Sequence, residues 1–221
     1  MFDGFPEQAL IFYEGLAADN SKAYWTDHKA VYDDCVRAPM EALLLALEPE
    51  FGAAKLFRPY NDVRFHKGKP LYKTQVAAAV HDDRSGKGTR YLALSADGLF
   101  LAGGYYQTTT DQVERLRAAV DDHRSGRALQ RVLEALTGNG WDVGEPELTR
   151  VPPAFRPEDG SEHPRADLLR RKTLTAGRSY EPELWLHTPQ VLERVRADWH
   201  ELDGLSAWLE RNVGATREVR Q

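Results

Sequence analysis

The chain is poor in residues that fix structure or chemistry covalently. Of its 221 residues, one is cysteine and two are methionine. The single thiol, Cys35, excludes an internal disulfide and fits a reducing compartment, so a cytoplasmic protein is expected. Cys35 falls mid-helix on an apolar stripe and reads as core, not as a nucleophile. No apolar run approaches the roughly 20 residues that span a bilayer, and no membrane association is expected. The opening residues, MFDGFPEQAL, have neither the basic nor the apolar region of a secretory signal. The seven histidines are dispersed, with no His-x-His or His-Glu-x-x-His, so no metal site is expected. Gly86-Lys87-Gly88 lacks the glycine frame and the following Ser or Thr of a phosphate loop. Gly103-Gly104 is no dinucleotide fingerprint and reads as a strand bend or a close backbone approach. There is no Gly-x-Ser-x-Gly elbow, no repeat and no low-complexity tract. These gaps leave a protein read without metal or redox cofactor.

What is present is enough to fold. Hydrophobic residues make up 42%, with five Trp, nine Tyr and eight Phe. That supports a real core and suits one α+β domain over 1–221, with a frayed polar tail at 215–221. Pro6 suits the first turn of a helix carrying Ala9, Phe12, Tyr13 and Leu16 at helical spacing. Asp19-Asn20-Ser21 breaks that helix and offers caps to a second. The second helix shows Tyr24, Trp25, His28, Val31, Tyr32, Cys35 and Val36 on one stripe. Pro39 is expected to end or kink it before Met40, Leu43, Leu44 and Leu47 resume the stripe. From Gly52 the pattern becomes strand-like: Lys55–Tyr60, Val63–His66, Gln75–His81, Thr89–Ser95 and Leu99–Tyr105. Ala96-Asp97-Gly98 is a hairpin turn and Asp82–Gly88 a polar loop. No helix-length crossover separates these strands, so the sheet should be antiparallel. Helices return at Thr110, with Asp111 and Glu114 at capping-box spacing. Trp141–Val151 suggests one or two edge strands, Pro152–His163 a loop-rich region and Arg165–Arg170 a short helix. Lys172–Ala176 reads as a strand, and Glu181–Trp185 and Pro189–Val213 as closing helices. Helices around a central sheet give the α+β class.

Charge is concentrated in one place. Leu56–Thr74 holds Arg58, Arg64, Lys67, Lys69 and Lys73 against one acid, Asp62. The chain is formally −5, so this stretch is +4 and the remainder −9. An acidic protein with one basic segment is not a general polyanion binder, which makes nucleic acid an unlikely partner. Phe57, Tyr60, Phe65 and Tyr72 are threaded among the cations. If the segment folds back on itself at Asn61 and Gly68, its Arg and Lys side chains converge on a small anion such as sulfate, phosphate or carboxylate. Arg170 and Lys172 could join from a later strand, and Tyr72 could hydrogen-bond a ligand. Asp62, alone among five cations, should favour its ionised form. It could take a proton from a substrate, or simply pair with Arg58 or Arg64 to fix the turn. The cations could equally be a solvated loop pairing with acidic helices.

These same residues resemble a known family. Arg58-x-Tyr60-x-Asp62-Val63-Arg64-Phe65-x-Lys67-x-Lys69 followed by Tyr72-Lys73-Thr74 looks like the signature of a widespread bacterial and fungal family of conserved hypothetical proteins. The match extends through Asn20-x-Lys22-x-x-Trp25, His28-Lys29 and Tyr32. It continues in Ser95-x-Asp97-Gly98-Leu99-Phe100, Gly103-Gly104 and Arg117. His163-Pro164-x-Ala166-Asp167-Leu168-Leu169-Arg170-x-Lys172 completes it. The chain departs from the pattern at Asn61, where Arg is usual, at Gly68, where Asp is usual, at Pro70-Leu71 and at His66. A pocket that has lost a cation and an acid suggests a specialised member. The resemblance also implies a link to natural-product pathways, in which members are suspected of closing strained nitrogen rings by expelling sulfate.

Three functions follow. The first is a cofactor-independent enzyme acting on a small anionic metabolite, with Asp62 as base and Arg58, Arg64, Lys67, Lys69 and Lys73 as the anion clamp. Ring closure to an aziridine with loss of sulfate is its specific form. The second is a binding module for a phosphorylated or sulfated ligand, without chemistry. The third is a nucleic-acid or protein partner site. A homo-oligomer is compatible with each.

Overall fold

A computed structural model describes residues 1–62, 68–80 and 90–217. The expectations for Val63–His66 and Asp82–Gly88 lie outside these residues, as do those for positions 218–221. The chain is α+β, as its patterning predicts. Two compact units are distinguished, one comprising Met1–Val80, Tyr91–Leu101 and Ser179–Asp198, the other His81–Arg90, Ala102–Arg178 and Trp199–Gln221.

The first unit opens with helix α1 (Glu7–Ala18), which buries Ala9, Leu10, Phe12, Tyr13 and Leu16. Asp19-Asn20-Ser21 then interrupts the helix. Ser21 caps α2 (Lys22–Asp27), its hydroxyl accepting the Tyr24 N–H at 3.1 Å. A single turn, α3 (Lys29–Val31), leads into a π-helical segment, Tyr32–Arg37, and then α4 (Ala38–Phe51). Pro39 therefore does not stop the helix; it takes the first turn of α4, where its missing N–H is tolerated. Its ring would clash with the carbonyl of Cys35 in a regular α-helix, and the wider π turn just before it relieves that clash.

The sheet has strands in sequence order, β1 (Ala54–Leu56), β2 (Gln75–Val80), β3 (Arg90–Ser95), β4 (Gly98–Tyr105) and β5 (Leu174–Tyr180), and is antiparallel. Ala54 faces Val80 and Leu56 faces Ala78. Leu92, Leu94, Leu99 and Leu101 alternate along β3 and β4 onto one buried face. Gly104 has φ +120° and lies so close to β5 that a Cβ there would stand 2.3 Å from the Leu174 carbonyl oxygen. That is the close approach expected at Gly103-Gly104.

The second unit contains α5 (Thr110–Asp121), α6 (His123–Gly138), α7 (Ala166–Leu169) and α9 (Asp203–Asn212), while α8 (Gln190–Glu201) runs from the first unit into it. Five details differ from expectation. The capping box of α5 is Thr109 with Gln112, two residues earlier than Asp111 with Glu114; the Thr109 N–H donates to Gln112 Oε1 at 3.1 Å. The Trp141–Val151 stretch forms no named strand, only an isolated bridge between Asp142 and Gly177. Strand β5 starts at Leu174, because Glu147 already occupies the backbone N–H groups of Lys172 and Thr173, at 2.8 and 3.0 Å. The Glu181–Trp185 helix is instead a 3₁₀ turn at Leu184–His187, and the last helix is broken at Leu202 into α8 and α9.

Arginines on backbone carbonyls hold this unit together. Buried Arg165 donates from Nε to Val120 O and from Nη2 to Asp121 O, at 2.5 and 2.8 Å, neutralising the C-terminal end of α5. Arg171 donates to Val143 O and Gly144 O at 2.8 and 2.7 Å. Arg115 donates to Val213 O and Ala215 O at 2.6 and 2.7 Å, and to Asp111 at 2.6 Å. Asp111 in turn accepts the Thr109 hydroxyl, the Arg217 N–H at 2.8 Å and the Thr216 hydroxyl at 2.9 Å. These bonds, that from Thr109 foremost, hold its carboxyl well below the usual carboxylate range. A lowered folded pKa contributes stability above the unfolded value of about 3.9, and that contribution disappears as pH falls through the folded value. The gap in urea midpoint between wild type and Asp111→Asn should therefore be full at neutral pH and close only below about pH 4. A gap unchanged on acidification would remove the carboxylate from the clamp.

Candidate functional site

The basic segment folds back on itself, and backbone bonding shows how. Phe57 N donates to Ala77 O at 2.9 Å, extending the β1–β2 pairing beyond the strands. Lys73 N then donates to Pro59 O at 2.8 Å and Asn61 N to Leu71 O at 2.9 Å, around an antiparallel bridge between Tyr60 and Tyr72. The Asn61 side chain donates to Pro70 O at 2.9 Å. Residues 57–61 and 70–73 thus form the two paired sides of an outer arm.

The helical wall grips this arm at Tyr72. Asn20 holds the Tyr72 backbone from both sides: its Nδ2 donates to Tyr72 O at 3.1 Å, and its Oδ1 accepts from Tyr72 N at 2.9 Å. Trp25 stacks on the Tyr72 ring at 4.4 Å with the planes 7° apart. Tyr32 and Tyr60 complete the group, 4.8 and 5.7 Å from the Trp25 ring. Burial, opposed in part by the Arg37 charge, pushes the Tyr32 hydroxyl up to about 12.

Arg58, Lys69 and Lys73 are brought together. Lys73 Nζ donates to Arg58 O at 2.9 Å and lies 5.6 Å from the Phe57 ring centroid. Burial, then the charges of Arg58 and Lys69, lower the Lys73 pKa below the usual lysine value. None of these three cations forms an ion pair with an acid among the described residues. Arg58 borders a cavity of about 410 Å³ lined by the arm from Leu56 to Tyr60 and, opposite, by Trp25, Lys29, Tyr32, Asp33, Arg37 and Glu41. On the helical side the charges are already matched: Lys29 pairs with Asp33, and Arg37 with Glu41 at 2.8 Å. The π turn is what places Tyr32, Asp33 and Arg37 along this wall, and such turns recur at functional sites.

The other predicted positions are distributed as follows. Asp62 is half-buried, two residues beyond the bridged Tyr60. Arg64 and Lys67 lie outside the described residues. Tyr72 is buried under Trp25. Arg170 and Lys172 belong to the second unit, where Arg170 pairs with Asp167 and Lys172 is exposed. His163, another residue of interest, has both ring nitrogens engaged. Its Nδ1 accepts the Arg165 N–H at 3.0 Å, so its Nε2 carries the proton toward Asp121 at 3.1 Å. It holds the backbone just ahead of α7 and leaves no nitrogen for a ligand. The cavity wall of Lys29, Tyr32, Asp33, Arg37 and Glu41 was not singled out as a site by the sequence. Its visible signals were the pair of (i, i+4) acid–base spacings and the presence of Lys29 and Tyr32 in the family motif.

Among the described residues there is no cluster of His, Cys, Asp or Glu that could hold a metal ion, and no helix long and apolar enough to cross a membrane. An α+β chain with a gripped, cation-bearing hairpin arm is the class that fold and site define. The chain belongs to the DUF2461 family of conserved hypothetical proteins, whose model matches residues 8–208. No curated protein and no solved structure matches it.

Proposed function

We propose that the hairpin arm and the helical wall form a site for a small anionic metabolite, on which the protein acts as a cofactor-independent enzyme. The observation that carries this reading is the gathering of Arg58, Lys69 and Lys73 without a neutralising acid among the described residues, in a chain with an excess of acids. Like charges held together cost free energy, and an anion recovers it through charge-assisted hydrogen bonds. The adjacent cavity accommodates the body of a small molecule against aromatic walls.

The specific reaction we propose is intramolecular displacement, in keeping with the family resemblance to ring-closing members of natural-product pathways. Asp62 takes a proton from a substrate ammonium. The freed amine attacks the neighbouring carbon, the new C–N bond closes an aziridine, and the C–O bond to sulfate breaks, sulfate leaving with the electron pair. The cations stabilise the charge that grows on the departing oxygen, and the site holds nucleophile and leaving group in line.

Thermal melting with sulfate, phosphate and sulfated amino acids tests the site. A ligand at 100 times its dissociation constant adds about 2.7 kcal/mol of stability. Asp62→Asn is expected to keep that ligand-induced stabilisation and to lose turnover of a sulfated amino acid, followed by sulfate release. Turnover retained in the variant removes Asp62 from the chemistry. Stabilisation by a ligand that wild type never converts reduces the protein to a binding module.

A further inference from the structure

We propose that Lys73 is a nucleophilic amine that captures small carbonyl compounds bearing a phosphate, sulfate or carboxylate group. The amine lone pair adds to the carbonyl carbon, the carbonyl oxygen leaves as water, and an imine remains. This goes beyond an electrostatic role for Lys73, and it rests on the reading of the arm as an anion site, since Arg58 and Lys69 are the groups that hold the anion while the amine attacks.

The geometry sets Lys73 apart from the other described lysines. Lys22, Lys55, Lys69 and Lys172 are exposed, and Lys29 is tied to Asp33. Lys73 is the half-buried one, with its Nζ fixed by a 2.9 Å bond to Arg58 O and the Phe57 ring on one side. That bond uses one hydrogen of the amine and leaves the remaining positions on nitrogen for a reactant. Only a deprotonated amine attacks a carbonyl, and partial burial beside two further cations favours the deprotonated form. The same two cations attract an electrophile that carries negative charge. An anionic aldehyde is therefore concentrated where the amine is most nucleophilic, and the anchoring backbone carbonyl limits the amine's search in space.

Pyridoxal 5′-phosphate followed by borohydride, which reduces the imine to a stable secondary amine, tests this on the full-length protein. Peptide mapping is expected to place the first adduct on Lys73. Pyridoxal without the phosphate should label Lys73 about tenfold more slowly, the factor one charge-assisted hydrogen bond supplies, and excess sulfate should protect it. Lys73→Arg keeps the charge, and should lose the adduct while retaining a cooperative thermal melt. Labelling spread over the exposed lysines with Lys73 not ahead would overturn the proposal, as would an unchanged adduct yield in Lys73→Arg. Fast labelling of Lys73 that neither the phosphate group nor sulfate affects would uphold the reactive amine and defeat the anion site.

Discussion

Replacing Gly104 by alanine should lower the stability of the protein by about 3–5 kcal/mol, read as a drop in urea midpoint with an unchanged slope. Two costs combine. The residue has φ +120°, a conformation that a side chain adopts only under strain of about 1–3 kcal/mol. The added methyl would also stand 2.3 Å from the Leu174 carbonyl oxygen and 2.9 Å from the Thr175 Cα. Those atoms are backbone of β5, so no rotamer change makes room, and the strands must part. Gly138→Ala is the control. A Cβ there meets nothing within 4 Å, at the end of α6, and alanine should be neutral or stabilising by up to about 0.5–1 kcal/mol. Equal effects at the two positions would mean that the β4–β5 contact is looser than the geometry requires.

The sequence patterns that proved readable are those whose cause is local. Helical spacing marked the buried faces of α1 and α4, because burial of a helix face needs only the helix's own period. Gly98 after Ala96-Asp97 marked the β3–β4 turn, since Gly98 has φ +105°. The basic segment folds back beside Asn61, one of the two residues read as permitting a turn, and the Asn61 side chain bonds to Pro70 O. What stayed hidden depends on partners distant in the chain. Nothing in the sequence around Arg165 or Arg171 reveals which carbonyls they occupy. Glu147 was invisible as the residue that delays β5 by two positions, since its partners lie 25 and 26 residues away. The capping box was misplaced because Asp111 suits a cap as well as Thr109 does; the tail at Thr216 and Arg217 claims Asp111 and leaves the cap to Thr109. The site was half legible for the same reason. Its cations share one segment, whereas the wall opposite comes from a π turn that the residue pattern does not announce.

Trp25→Ala is the second large effect expected, about 3–5 kcal/mol of destabilisation. Trp25 is only 4% exposed and touches Phe12, Tyr32, Tyr60 and Tyr72 through its ring. Truncation removes a large aromatic surface between the helical wall and the hairpin arm, and the stacked Tyr72 loses its support on one face. The arm then rests on Asn20, whose two bonds to the Tyr72 backbone fix position but bury little apolar area. A double-mutant cycle with Tyr72→Leu isolates the stack: a coupling of about 0.5–1.5 kcal/mol is expected beyond the area lost. The functional consequence separates two roles for this ring. If Trp25 acts only as core, a given sulfate concentration should stabilise Trp25→Ala as much as it stabilises wild type. If it also sets the distance between Arg58 and the helical wall of the cavity, the variant's sulfate affinity should fall while Arg58, Lys69 and Lys73 are all still present. A fall in affinity is the outcome the geometry favours, because the same ring that holds Tyr72 also lines the cavity beside Arg58. Unaltered sulfate affinity in a destabilised Trp25→Ala protein would confine the anion site to the arm alone.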